Sequence, residues 1–356
     1  MKITKVSFQR LDLKLSEPYT IAYETVSSAT NFILKLETDT GLVGYGCACP
    51  DGFVTGETNE EVAQAIKETI SPFLKQKDPF TYALIIEELK RMLPGKSSTL
   101  AMVDIALFDL VSKKAGVPLY KFLGGYKSSI PTSVTIGILP VADTIAHARE
   151  WVKAGFFVLK VKGGKSLEED VEKMTRLREV FPDVLLRFDG NQGYSVAEAI
   201  SFVRQTATVG IEIFEQPTKV GGEESLGEVT QRVTLPVMAD ESIKTLADAF
   251  RLAQNERVDM VNIKIMKVGG IMEALHINSV AKAAGLEAMV GCIDECSLGI
   301  AAGLHFALSR ANVEYADLDG HMDIIGDPFK GLFRLKDGIL YPGESPGLGD
   351  LSGYSF

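Results

Sequence analysis

The chain has 356 residues, 46% of them hydrophobic and 24% charged, enough for one large domain or two ordinary ones. Its formal net charge is −10 and it contains no lysine- or arginine-rich run, which argues against nucleic acid or an anionic membrane surface as partner. No uninterrupted apolar stretch approaches the roughly 18 residues of a membrane span, and the opening MKITKVSFQRLDLKL alternates like a strand rather than forming the apolar core of a signal peptide.

Up to about residue 50 the sequence offers strand-like pieces, among them NFILKLETDTGLVGYG with a D-T-G turn at its centre. Apolar residues then recur at helical spacing over 59–93 and 98–115, and GVPLYKFLGG closes the second helix. Cysteines 47, 49, 292 and 296 match no common zinc spacing and read as free thiols of a reducing, cytoplasmic compartment.

After residue 128 the pattern becomes regular. Eight strand-like segments, from SIPTSVTIGI through FFVLKVK, DVLLRFD, IEIFEQP, LPVMADES, VDMVNIKIM and LEAMVGC to NVEYADLD, alternate with helical stretches at a period near 25 residues. That repetition predicts closure into a TIM-type (β/α)7β barrel. An open doubly wound sheet is the runner-up, but no G-x-G-x-x-G follows the first strand. The expected organisation is an α+β capping domain over 1–125, completed by the C-terminal segment 330–356, and a catalytic barrel over 126–329.

One strand poses a problem of charge. In FVLKVKGGK, residues 157–165, Lys160 and Lys162 share a face near the strand's C-terminal end, where two ammonium groups repel and each is costly to desolvate alone. Compensation is found one unit further along, and again beyond it. Lys162, Asp189, Glu215, Asp240 and Lys264 follow one another at separations of 27, 26, 25 and 24 residues, each step one strand–helix unit. A single charge at a strand end is commonly a helix cap. Five in phase belong to one rim, the rim where barrel enzymes build their chemistry.

Three converging carboxylates, Asp189, Glu215 and Asp240, suit a hard divalent cation, and Mg2+ is the natural choice. Lysines on opposite sides of it can remove a proton from one face of a carbon and return one to the other, which is racemisation or epimerisation. Lowering a lysine pKa from about 10.4 to about 7.5 costs roughly 4 kcal/mol, within reach of a neighbouring ammonium, burial and a divalent metal together. A Schiff-base aldolase would also use a barrel lysine but would not need the three carboxylates.

Taken together, AMVDIALFDLVSKKAGVPLYKFLGG, VLKVKGG, RFDGNQGY, FEQP, ADES, VNIKIMKVGGI and the terminal DLD resemble the enolase superfamily in its muconate-lactonizing-enzyme subgroup. The resemblance implies that Lys162 and Lys264 are the acid/base catalysts and that Lys160 assists with the substrate carboxylate. It further implies Asp189, Glu215 and Asp240 as metal ligands, with Asn191 and Glu241 orienting them. Asp317 and Asp319 resemble the D-x-D with which dipeptide epimerases hold the substrate's α-ammonium, so the best match is an enzyme similar to the L-Ala-D/L-Glu epimerases. Other activities of the subgroup, o-succinylbenzoate synthase, N-acylamino-acid racemase or muconate cycloisomerase, are the alternative.

Within that resemblance the chain departs from the glutamate-specific pattern. In PYTIAYETV it carries Glu24 where relatives taking acidic dipeptides carry arginine, and Asp294 in GCIDECSLG adds a further negative charge at the rim. An acidic side chain on the epimerised residue is therefore disfavoured, and neutral or cationic ones fit. The apolar bias of FVTG at 53–56 favours a small hydrophobic residue, in an Ala-Xaa dipeptide. Thr135, Cys292 and Asp294 are further candidate contacts to the peptide. The segments 17–30 and 50–58 are expected to fold over the barrel mouth as mobile lids. Many barrels of this kind assemble into symmetric oligomers, so a homo-oligomer is allowed for, without any segment marking its interface.

Overall fold

A computed structural model describes residues 1–21, 25–351 and 353–354. The chain begins with three antiparallel strands, β1 (Ile3–Thr20), β2 (Thr25–Thr38) and β3 (Val43–Ala48). The D-T-G turn between β2 and β3 forms as expected, with Gly41 at φ 78° and the Thr38 N–H donating to the Leu42 carbonyl at 3.1 Å. Against β3 lies the helix Ser97–Ala115, which is buried without a break from Ser98 to Ser112. Its approach is close enough that a Cβ on Gly46 would sit 1.9 Å from the Met102 carbonyl oxygen, so only glycine fits there.

The helical reading of 59–93 needs one correction. Helix Asn59–Ala65 passes through a π-helical turn, Ile66–Ile70, into the short Ser71–Leu74, and the chain is extended at Lys75. Pro72 has no N–H to donate to the preceding turn. The break is then held by β1: Gln76 donates to the Ile3 carbonyl at 2.8 Å and Ile3 to the Lys77 carbonyl at 3.0 Å. Helix resumes over Tyr82–Met92.

After β4 (Ile130–Pro131) come eight parallel strands whose spatial order is their chain order. They are β5 (Val134–Ile136), β6 (Val158–Lys162), β7 (Leu185–Asp189), β8 (Ile211–Glu215), β9 (Val237–Ala239), β10 (Met260–Lys264), β11 (Glu287–Gly291) and β12 (Val313–Asp317). The barrel closes where Thr132 bridges Ala316 in parallel and the Ser133 N–H donates to the Ala316 carbonyl at 3.0 Å. Helices cover the outside between successive strands, from Val141–Lys153 to Ser297–Ser309, and among the described residues none follows β12. This is the (β/α)7β barrel. The chain instead returns to the N-terminal sheet, where β13 (Ile324–Ile325) pairs with β1. Strands β14 (Phe333–Lys336) and β15 (Ile339–Pro342) then join β4 in a small antiparallel sheet. Further on, the Leu348 N–H donates to Asp109 at 2.9 Å and the Tyr354 hydroxyl to Gln9 at 2.7 Å.

Among the described residues no helix is long and apolar enough to cross a membrane, and all four cysteines are free.

At the joint between the N-terminal sheet domain and the barrel, His305 is fully buried and its Nδ1 accepts the Tyr120 backbone N–H at 2.9 Å. Burial brings its pKa down to about 3. Because this lies below the value of about 6.5 in an unfolded chain, acid favours unfolding: stability is lost as pH falls from about 6.5 towards 3. Melting temperatures between pH 7 and pH 4 should fall more steeply for the native chain than for His305→Gln. Parallel slopes would refute that assignment.

Candidate active site

Strand register places the charged residues side by side. Lys162 of β6 is paired in register with Asp189 of β7, and Asp189 with Glu215 of β8. On the other side Lys264 of β10 faces Gly291 of β11, which faces Asp317 of β12. All lie at the C-terminal ends of their strands. Lys162 and Lys264 are four strands apart in an eight-stranded ring, so they approach the mouth from opposite sides.

Asp189, Glu215 and Asp240 bring one carboxylate oxygen each within 4.8 Å of one another, all three buried. Such a cluster needs positive charge. Lys160 stands in the middle, with Nζ 2.7 Å from Glu215, 2.8 Å from Asp317 and 3.2 Å from Asp189. Lys162 Nζ lies 2.7 Å from Asp189 Oδ2, and Lys264 Nζ 2.7 Å from Asp240 Oδ2. Burial, then the charge of Asp189, push Glu215 up to about 8 against the pull of Lys160. Burial works against the charge on Lys264, but Asp240 outweighs it and holds the ammonium above its usual range.

The donor set is all oxygen, as a hard divalent cation requires. Orientation is built in: Glu215 Oε1 accepts from Asn262 Nδ2 at 2.8 Å, and Asp189 Oδ1 from the Asn191 N–H at 2.9 Å. Asn191 Nδ2 in turn donates to Glu241 Oε1 at 3.4 Å. Asn191 Oδ1 and Glu241 Oε2 are buried without a partner among the described residues. Water in a cation's coordination shell would supply donors to both, so the residues fit a hydrated Mg2+.

Asp317 and Asp319 differ in their surroundings. Asp317 accepts from Ser133 Oγ at 2.6 Å and from Lys160; burial opposes its charge, but Lys160 outweighs it and brings the carboxyl down to about 2. Asp319 accepts the Thr135 N–H at 2.6 Å and has no cationic partner among the described residues. Burial and the Asp317 charge push it up to about 6. Thr135, Cys292 and Asp294 line the same cavity as both lysines, with Cys292 Sγ 3.9 Å from Asp319. Glu24 lies outside the described residues.

The described residues of the expected lids belong to strands or are hydrogen-bonded to the barrel and the cap. Most of 17–30 belongs to β1 and β2, and Tyr19, Ile21 and Val26 reach the cavity from there. In 50–58, Asp51 Oδ1 accepts the Phe53 and Val54 N–H groups, and Lys244 Nζ donates to the Val54 carbonyl at 2.7 Å. Glu57 anchors the end of this segment by accepting the Ser98 N–H at 2.6 Å. Phe53, part of the FVTG stretch, is 62% exposed, and of that stretch Val54 lines the cavity. Asn31 of β2 ties the cap to the loop after β11: its Nδ2 donates to the Asp294 carbonyl at 3.1 Å and its Oδ1 accepts the Cys296 N–H at 2.9 Å.

Sequence reasoning missed several of these residues. Lys267, one helical turn beyond Lys264 and fully buried, donates to the carbonyl and carboxylate of Asp240; the K-x-x-K spacing was the available signal. Tyr19, Asp51 and Asp323 line the cavity from outside the barrel strands, where no periodicity points to them.

Residues 3–124 match the family described as mandelate racemase / muconate lactonizing enzyme, N-terminal domain, and residues 143–350 match enolase C-terminal domain-like. An L-Lys-D/L-Arg epimerase of Desulforapulum autotrophicum is 40% identical, covering 98% of this chain and 99% of its own. The substrate-liganded L-Ala-D/L-Glu epimerase from Bacillus subtilis superposes with a TM-score of 0.96 at 35% identity, covering 99% of both chains. A dipeptide epimerase from Enterococcus faecalis, complexed with Mg and L-Leu-L-Tyr, superposes at 0.95 with 39% identity over 98% of this chain and 99% of that one. With both domains matched and relatives aligned end to end, the chain belongs to the mandelate racemase / muconate lactonizing enzyme family of the enolase superfamily.

Proposed function

We propose that this isomerase is a Mg2+-dependent dipeptide epimerase that inverts the α-carbon of the C-terminal residue. The observation that carries the reading is the pair Lys162 and Lys264, on opposite sides of the carboxylate triad, together with Asp317 and Asp319 at the end of β12. One lysine removes the α-proton and the other returns a proton to the opposite face. Asp189, Glu215 and Asp240 would hold Mg2+, which would supply positive charge against the negative charge that develops at the substrate carboxylate. Lys160 adds a buried cation on the same side. Asp319, which lacks a cationic partner among the described residues, and Asp317 hold the α-ammonium of the first residue. In this reading 126–329 is the catalytic barrel, and 1–125 with 330–356 is the cap that excludes water.

The named relatives act on cationic, acidic and hydrophobic dipeptides, so relationship alone leaves the side chains open. For the epimerised residue, the cavity's Ile21 and Val26 favour a small or hydrophobic side chain over glutamate, and Ala-Xaa is the simplest substrate. An N-acylamino-acid racemase or o-succinylbenzoate synthase would leave Asp317 and Asp319 without an ammonium to hold.

A dipeptide library in D2O with Mg2+, read by mass spectrometry, tests the reading. Free-amine dipeptides should gain one deuterium at the C-terminal α-carbon, and Asp319→Ala should raise their KM by about 10- to 100-fold. Exchange confined to N-acylated amino acids would overturn it in favour of the racemase.

A further inference from the structure

We propose that Asp170 is a positioning residue for Lys162, acting through the backbone amide of Gly164 and assisted by Tyr194. The inference rests on the epimerase reading and adds a residue to it. Lys162 ends β6, and among the described residues its ammonium has one partner, the Asp189 carboxylate, which the metal would also claim. A long flexible side chain held at a single point is only as well placed as the backbone that carries it. That backbone is pinned on its far side. The Gly163 N–H donates to the Asp189 carbonyl at 2.9 Å, and the Gly164 N–H to Asp170 Oδ2 at 2.8 Å. From the loop after β7, the Tyr194 hydroxyl donates to the same Oδ2 at 2.7 Å. One carboxylate oxygen therefore joins the loop that follows Lys162 to the loop that follows Asp189. The two loops meet closely: a Cβ on Gly163 would lie 2.2 Å from the Phe188 ring and 2.7 Å from Asp170 Oδ2, and one on Gly193 2.1 Å from the Gly164 carbonyl oxygen.

The helix that carries Asp170, Leu167–Val180, does not need it as a cap, because Ser166 Oγ already accepts the Glu169 N–H at 3.3 Å. Asp170 is nonetheless buried, a costly place for a carboxylate whose one cation among the described residues, Lys173, stands 3.4 Å from Oδ1. The two oxygens divide their partners. Oδ1 faces Lys173 on the same helix, and Oδ2 faces the two loops. On the opposite side of the mouth the support is different. Lys264 runs directly into the helix Ile265–Val268, and among the described residues no hydrogen bond of Asp170 reaches β10. Of the two acid/base lysines, Asp170 therefore serves Lys162 alone.

The experiment measures deuterium wash-in separately for the L,L and L,D forms of the dipeptide that the full chain exchanges fastest with Mg2+, beginning with Ala-Ala. The form that Lys162 serves is the one that Lys162→Ala ceases to exchange. Asp170→Ala should lower kcat for that form about tenfold relative to the other, with KM for both forms within about twofold of native. Tyr194→Phe removes only a hydroxyl and keeps the Gly164 bond. It should shift the same ratio in the same direction by about threefold, which keeps the test independent of the folding of Asp170→Ala. Lys173→Met removes the ion pair to Oδ1 and touches neither loop, so the ratio should stay at its native value. A ratio unchanged in Tyr194→Phe, with Asp170→Ala either unfolded or equally impaired for both forms, would overturn the assignment while leaving the epimerase reading standing. So would an equal shift in Lys173→Met, which would reduce the effect to packing. Absence of exchange by the native chain in every dipeptide would overturn both.

Discussion

Lys162→Ala and Lys264→Ala should each lower the rate of epimerisation by roughly 10²- to 10⁴-fold, the range of a positioned general acid or base. The informative result is the asymmetry between them. With one lysine on each side of the α-carbon, each variant keeps washing deuterium into the epimer whose proton faces the surviving amine and stops doing so for the other. The two variants should therefore show opposite preferences for the L and D forms of the second residue. Both substitutions leave the buried anions partnered: Asp189 keeps Lys160 at 3.2 Å, and Asp240 keeps Lys267. Loss of rate is then a loss of chemistry rather than of folding, and circular dichroism should show unchanged structure. The same residual preference in both variants would place the two proton transfers on a single flank and end the two-base mechanism.

Glu215→Gln should abolish both activity and the stabilisation that Mg2+ confers. Glu215 is the central member of the triad, and the amide preserves its shape while removing its charge. The amide oxygen of that variant could still accept from Asn262, so little else is disturbed. An ion that binds only the folded chain stabilises it by about 2.7 kcal/mol at a hundred times its dissociation constant, which is readable as a rise in Tm. That rise should be present in the native chain, disappear with a chelator, and be absent in Glu215→Gln. A variant that still melts higher on addition of Mg2+ would show that the ion is held elsewhere.

The barrel was readable because parallel strands in a closed ring pair with their chain neighbours, so sequence order is also spatial order. Charges at 162, 189, 215, 240 and 264 keep phase with that repeat and fall on one rim without further information. The cap is different. Lys14 pairs with Ile325 across most of the chain, and no local pattern predicts so distant a partner. Residues 75–81 read as continuous helix because apolar spacing masked Pro72 and the Asp78-Pro79 stop. At the site, the same division holds. Residues on strand ends were found, whereas Tyr19, Asp51 and Asp323 depend on how cap segments and the strand-eight loop drape over the mouth. Lys267 escaped notice because it sits past the strand end, where a lysine ordinarily points to solvent.

Asn31 has a consequence for any exchange of this chain's cap. One amide from the cap fixes the backbone that presents Asp294, while Cys49 Sγ donates to the same carbonyl at 3.1 Å. A chimera that joined a foreign N-terminal module to this barrel would lose that tether unless the donor module brought its own equivalents of Asn31 and Cys49. Such a chimera should hold the loop after β11 less firmly than this chain does until both contacts are restored.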